Sequence, residues 1–476
     1  MRASSRGGHR GRGRIVAEDL AFQSLHAIRN LLRKGEISAR ELVDFHLARV
    51  DFLQPRLNAF ITVMHEEARR TADELDGKTA RGESRGSLHG VPLTLKDLIW
   101  TKGVRTTSGS KLFADFVPEQ DAEVVKRLRD AGAVLLGKTN LHELAYGISN
   151  VNPHYGAVHN PWDLERISGG SSGGSAASLA AGIGYGSVGT DTGGSIRIPS
   201  ALCGTVGLKP TYGLVSREGV TPLAWSLDHV GPMARTVEDV AILFDVLAED
   251  SASSKVGPTS EGLADLPKGL RMGIHRDYFY EDLDPEVRER VDAAVQDLEK
   301  LGLEREDVSI PDVHYQGTCR SVVLYVEAAS YYEVSLRERP DAFSDATREL
   351  LQLGLLIRGT EYVAAQRGRT RLLQSFREAF RRFDVLVTPT VPVPAPRIGE
   401  ETLSNGEGLR PGLLRLVTPF NTVGFPALSL PCGYTEAGLP IGLQLAAAPY
   451  KEALLLKVAD AYERSHRWLD RRPLLV

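Results

Sequence analysis

Residues 167–200 read ISGGSSGGSAASLAAGIGYGSVGTDTGGSIRIPS, a stretch with two glycine-flanked serines, Ser171 in GGSSGGS and Ser195 in DTGGSIR, 195 − 171 = 24 positions apart. Taken alone, GGSSGGS has the composition of a flexible linker. The segments after it argue otherwise: AASLAAG is small, apolar and helix-forming, and GYGSVGT is a short strand candidate ending at a glycine-rich turn. TDTGGSIRIPSALCG then reads as strand, tight turn and helix, with Ser195 at or just before the helix start. A first helical turn leaves its N–H donors free and glycine lets the backbone come close. The amides of Thr192, Gly193, Gly194 and Ser195 are therefore expected around one point, suited to an anion.

Two anion chemistries compete for that point. A phosphate loop needs GxxxxGK[ST], and no lysine follows either glycine cluster; Gly182 and Gly184 begin a dinucleotide fingerprint, but Ser187 stands where its third glycine belongs. Nucleotide binding at these two loops is disfavoured. The alternative is an oxyanion hole, in which the same amides stabilise charge on a carbonyl oxygen under attack by Ser195. A serine hydroxyl needs a base. No lipase-type GxSxG surrounds Ser195, and a histidine base, recognised by geometry, stays open. Lys96, in GVPLTLKDLI, is a different candidate: most lysines are solvated surface charges, but this one ends a short apolar strand.

These residues carry a family resemblance. GVPLTLKD around Lys96, GKTNLHELAYG from Gly137 to Gly147, GGSSGGSAA from Gly169 to Ala177, and GTDTGGSIRIPSALCGTVGLKPT from Gly189 to Thr211 make the chain similar to the amidase signature family, and the tail FNTVGFPALSLPCG…GLPIGLQL fits more loosely. The resemblance implies a Ser-Ser-Lys triad with Ser195 as nucleophile, Ser171 as bridging serine behind a cis peptide bond, and Lys96 as base. It implies an oxyanion hole from the amides of Thr192 to Ser195, substrate contacts at Tyr146, Gly147 and Gly170, and neither cofactor nor metal. Asp191 and Arg197 flank the nucleophile within an apolar stretch and read as a buried pair that fixes the turn.

Composition bounds the remainder. The 476 residues are 42% hydrophobic and 25% charged, ordinary for a globular protein, with formal net charge −4. That balance gives no general attraction to nucleic acid or membrane, and no apolar run approaches a bilayer span. Cys203, Cys319 and Cys432 are sparse and lack CxxC spacing, which points to a reducing, cytoplasmic setting without a metal site; Cys203 reads as a buried structural thiol. Residues 1–14, MRASSRGGHRGRGR, hold five arginines and no acid, and read as a disordered basic leader.

Residues 15–476 read as one domain. Ser38 and Glu41 form a capping box that opens an amphipathic helix, Asp121 reads as the cap of a helix to about Arg129, and Asn140–Tyr146 as a short helix. Alternating strands and helices predict an α/β fold: a mixed, mostly buried central sheet with helices on both faces. The loop EDSASSKVGPTSEG is the best internal boundary, and residues 250–400 are a variable, largely helical region expected to face the substrate. The expected substrate is a small amide, with esters and carbamates presenting the same carbonyl, acted on by a monomer or homodimer. The other reading is the glutaminase subunit of a tRNA-dependent amidotransferase. Members like that glutaminase carry an aspartate shortly before the PxN segment, and Leu414, beside Arg415, stands at that position here. If burial lowers the Lys96 pKa by 2 to 3 units, activity rises with pH between roughly 7.5 and 8.5.

Overall fold

Eleven strands form a single mixed sheet in a computed structural model that describes residues 17–248, 256–466 and 468–474. They are β1 (Phe60–Val63), β2 (Pro92–Lys96), β3 (Val134–Thr139), β4 (Gly186–Thr190), β5 (Val206–Lys209), β6 (Val230–Ala234), β7 (Arg271–Ile274), β8 (Glu304–Asp307), β9 (Val385–Pro389), β10 (Ala427–Tyr434) and β11 (Pro440–Ala447). Their spatial order is β1-β3-β2-β4-β6-β5-β10-β11-β9-β7-β8. β2 runs parallel to β3 and β4, and β7 runs parallel to β8 and β9; the other neighbours are antiparallel. Strands in the middle are buried on both faces, which is why PLTLK and VLLGKT read as near-continuous apolar runs. The α/β architecture expected from the sequence is the one observed.

Helix α1 (Ala39–Leu57) opens on the expected capping box, with Ser38 and Glu41 each accepting the other's backbone N–H. Each serine loop feeds a short helix, α2 (Gly173–Ala180) and α3 (Arg197–Cys203), and every residue of both is buried. Helices enclosed on all sides carry no polar stripe, which accounts for the small apolar composition of AASLAAG. Asp284 caps α4 (Pro285–Lys300), with Pro285 in its first turn. Three helices then follow, α5 (Gln316–Glu338), α6 (Asp345–Leu356) and α7 (Gly359–Ala379), before the chain returns to the sheet.

Two local expectations fail. Asp121 does not cap its helix, which starts at Glu123 with Ala122 as N-cap. Its carboxylate instead accepts the Lys102 amide at 2.7 Å and pairs with Arg129 at 3.1 Å, tying loop to helix. The stretch Asn140–Tyr146 forms only a single 3-10 turn, Glu143–Ala145, with Leu144 and Ala145 at positive φ. The helix is broken by Leu144 and Ala145, while the Glu143 carboxylate before them accepts hydrogen bonds from the Ser110 hydroxyl and the Ser344 amide and lies 2.8 Å from His154 Nε2. The basic leader and the first half of the boundary loop, residues 249–255, lie outside the described residues.

Candidate active site

Lys96 is the last residue of β2, flanked by parallel strands on both sides, so its side chain is fully buried. Nζ donates to Ser171 Oγ and to Thr190 Oγ1, each at 2.8 Å. Desolvation pushes the amine down to about 7, opposed only by the fields of Asp191 and Asp228. Two further lysines at apolar strand ends are equally buried, a result the sequence reasoning missed. Lys138 donates to Ile99 O, Thr101 Oγ1 and Thr106 Oγ1 and lies 3.6 Å from Asp97. Lys209 donates to the carbonyls of Pro210 and Phe425. Of the three, only Lys96 bonds a serine.

Ser171 follows a cis peptide bond from Gly170. The loop of Ser171 is tied to the loop of Ser195 by Ser172, whose amide donates to Ser195 O at 3.1 Å and whose hydroxyl donates to Thr190 O at 3.2 Å. Ser195 is 5% exposed. The turn around it is built on Asp191, whose carboxylate accepts from the amides of Gly194 (2.7 Å) and Ile196 (3.1 Å), from Arg197 Nε and Nη2, and from Asn421 Nδ2. Arg197 in turn donates to Val417 O, Gln444 Oε1 and Asn421 Oδ1, so the buried pair is saturated on both sides. Against desolvation, which alone would raise it, the Arg197 guanidinium holds the Asp191 carboxyl well below the usual carboxylate range. The Gly194 amide, counted among the anion-binding donors from sequence, is therefore occupied. The amides of Thr192, Gly193 and Ser195 have no partner within the described residues.

A small cavity opens beside Ser195, walled by Tyr146, Gly147, Gly193, Arg320, Arg410 and Leu414 among others, and no carboxylate among the described residues lines it. Arg320 reaches in from α5, is 6% exposed, and its Nε lacks a partner among the described residues. Desolvation, then the neighbouring Arg410, lowers its pKa to about 10. A side chain at Gly193 would put Cβ 2.5 Å from Arg320 Nη2, so glycine is what lets the guanidinium approach the Ser195 turn. Arg410 donates to Tyr146 O at 3.1 Å and stacks over the Tyr146 ring, whose hydroxyl is also unpartnered. Of the three residues expected to touch substrate, Tyr146 and Gly147 line this cavity, while Gly170 lies behind it, packed against the backbone of Ile148, Ser149 and Asn150.

Across Thr190 and Thr192 lies a second cavity of about 460 Å³, lined in part by Leu98, Val215, Trp225, Asp228 and His229. Burial holds His229 well below its ordinary pKa and lowers His142 to about 4, so both imidazoles are neutral. Cys203 is buried with its thiol donating to Ser168 O. Among the described residues no group of His, Cys, Asp and Glu side chains could hold a metal ion. Thr190, Arg320 and Arg410 were missed from sequence; only Thr190, adjoining the DTGGS turn, had a local signal.

A family model described as Amidase matches residues 41–456. The A subunit of the glutamyl-tRNA(Gln) amidotransferase of Moorella thermoacetica is 40% identical over 96% of this chain and 99% of its own length. That of Myxococcus xanthus is 42% identical over 92% and 96%. A solved structure described as that of an amidase superposes with TM-score 0.87 at 38% identity, covering 94% of this chain and 100% of that one.

Proposed function

The chain belongs to the amidase signature family, hydrolases of amide C–N bonds, and from that premise we propose that it strips ammonia from a carboxylate-bearing primary carboxamide, in the manner of an amidotransferase glutaminase. Support for this comes from the curated relatives, amidotransferase A subunits aligned over nearly their full length, which favour the second of the two readings open from the sequence. The observation that carries the substrate class is Arg320: a buried guanidinium with an unpartnered Nε, a second arginine beside it, and no carboxylate in the cavity. A buried charge without a partner is costly, and an incoming carboxylate supplies that partner in bidentate geometry.

Neutral Lys96 takes the Ser171 proton as Ser171 takes that of Ser195. Ser195 Oγ bonds to the carbonyl carbon, and the oxygen gains negative charge facing the amides of Thr192, Gly193 and Ser195. The C–N bond then breaks as Ser171 returns a proton to the leaving nitrogen, releasing ammonia. Water enters by the same relay and frees the acid. Esters and carbamates enter this scheme through the same carbonyl.

One observation favours a stand-alone amidase acting on another anionic amide. Glutamine carries an ammonium as well as a carboxylate, and the cavity offers Leu414 where glutaminase relatives were expected to place an aspartate. Ammonia release by the purified chain from glutamine, glutaramate (the same molecule without its amino group) and propionamide separates the readings. Preference for glutamine supports the glutaminase, preference for glutaramate supports the stand-alone enzyme, and propionamide as the best substrate overturns the arginine-anchored class altogether.

A further inference from the structure

The anion-facing turn is held unevenly. Asp191 grips its downstream half through the amides of Gly194 and Ile196 and the side chain of Arg197. The upstream half, Thr192–Gly193, supplies two of the three unpartnered amides and receives nothing from Asp191's carboxylate. Gly193 has no side chain to fix its peptide plane, and glycine rotates freely. The one side-chain anchor there among the described residues is Thr192 Oγ1, which donates to Asp228 Oδ1 at 2.6 Å, the short distance of a hydroxyl bound to a carboxylate.

Asp228 is itself fixed. Its carboxylate also accepts the amides of Leu223 at 3.0 Å and Ala224 at 3.1 Å, closing its own loop. That loop is tied to α5 through Ser226, whose amide and hydroxyl bond Glu327, and to α7 through Arg369, which donates to Ser226 O at 2.8 Å. His229 and Asp191 exchange backbone bonds at 2.9 and 3.1 Å, so the two loops run side by side.

We propose that Asp228 is a positioning residue for the oxyanion site, holding Thr192 by its hydroxyl so that the Thr192, Gly193 and Ser195 amides converge on one oxygen. The inference rests on the acyl-serine reading above. Asp228 touches no reacting atom; it acts through Thr192. Losing the tether lets the Thr192–Gly193 peptide turn away, which weakens the tetrahedral state and leaves ground-state binding of the substrate in place.

The test uses the full chain at pH 8 with p-nitrophenyl acetate as acyl donor and methylboronic acid as a tetrahedral analogue that bonds Ser195. Thr192→Val, which keeps shape and removes only the hydroxyl, is expected to lower kcat about 10- to 100-fold, below the 10²- to 10³-fold cost of deleting an oxyanion donor outright. KM should stay within about 2-fold, and the boronic acid inhibition constant should rise by the same factor as kcat falls. Asp228→Ala, which removes the acceptor shared by Thr192, Leu223 and Ala224, should do likewise. The double variant should be no worse than the poorer single, because the two residues act as one unit. Wild-type kcat in Thr192→Val, a rise in KM instead of a fall in kcat, or multiplying effects in the double variant would overturn the proposal. Should Asp228→Ala not fold, Thr192→Val decides alone. Ser195→Ala run alongside separates the two levels: activity retained there removes the acyl-serine reading, whereas a dead Ser195→Ala with an unimpaired Thr192→Val removes only the role of Asp228.

Discussion

Lys96 Nζ and Ser171 Oγ lie 2.8 Å apart with both side chains fully buried, and no ion-pair partner reaches the amine among the described residues. A lysine so placed is a proton acceptor in waiting, because desolvation favours its neutral form. Lys96→Met is expected to lower kcat for a primary amide about 10²- to 10⁴-fold, the usual range for a lost general base. The loss should be smaller for an activated ester, whose leaving group needs no proton. Steady-state rates on both substrates check this.

The same substitution should stabilise the fold at low pH. The folded pKa of Lys96, about 7, is depressed below its unfolded value near 10.4, so the unfolded state binds more protons between those limits. Burying the charged amine costs stability in full below about pH 7, and that cost fades as pH rises toward 10.4. Thermal melts of wild type and Lys96→Met should therefore differ most at pH 6 and converge above pH 10.

Activity should follow the same ionisation. For a neutral amide, kcat/KM is expected to rise with pH and reach half its plateau near pH 7, lower than the roughly 7.5 to 8.5 expected from the sequence because the amine is wholly desolvated. His142→Gln and His229→Gln should leave that ionisation in place, since burial keeps both imidazoles neutral well below it. pH profiles of the three proteins make the comparison.

Arg320→Met removes a guanidinium whose Nε has no partner among the described residues. KM for a carboxylate-bearing amide should rise about 10- to 100-fold, the worth of 1.4 to 2.8 kcal/mol of charge-assisted hydrogen bonding. A neutral ester should be turned over as before. Equal loss on both substrates would assign Arg320 to the fold.

Asp191→Ala strands a buried arginine among acceptors arranged for a pair. A loss of about 3 to 5 kcal/mol is expected by denaturant unfolding, typical of breaking a buried ion pair from one side. Turnover should fall with it, because the Gly194 and Ile196 amides lose their anchor.

The serine loops were legible because their signals are local: glycine, serine and a following apolar helix specify the turn and the helix start within a dozen residues. Lys96 was legible in a weaker sense. The apolar strand end that marked it also describes Lys138 and Lys209, and only the partners tell them apart: carbonyl and threonine oxygens and a nearby Asp97 for one, carbonyl oxygens for the other, a serine for Lys96. Arg320 and Arg410 left no trace in the sequence. They stand 320 − 195 = 125 and 410 − 195 = 215 positions past Ser195, and only the packing of α5 and of the helix Leu409–Arg415 brings them to its turn. Gly194 misled for a related reason, since its competing acceptor, Asp191, is three residues away but becomes aimed at it only once Arg197 and Asn421 lock the carboxylate.

The charge state of Lys96 can be read directly. In protein labelled with ¹³C at lysine Cε, the Lys96 resonance, identified by its absence in Lys96→Met, is followed from pH 5 to 10 beside kcat/KM on the same samples. A neutral-lysine base predicts that the resonance and the activity titrate together near pH 7. A Lys96 resonance that stays in its charged position until above pH 9 while activity has already reached its plateau would contradict it.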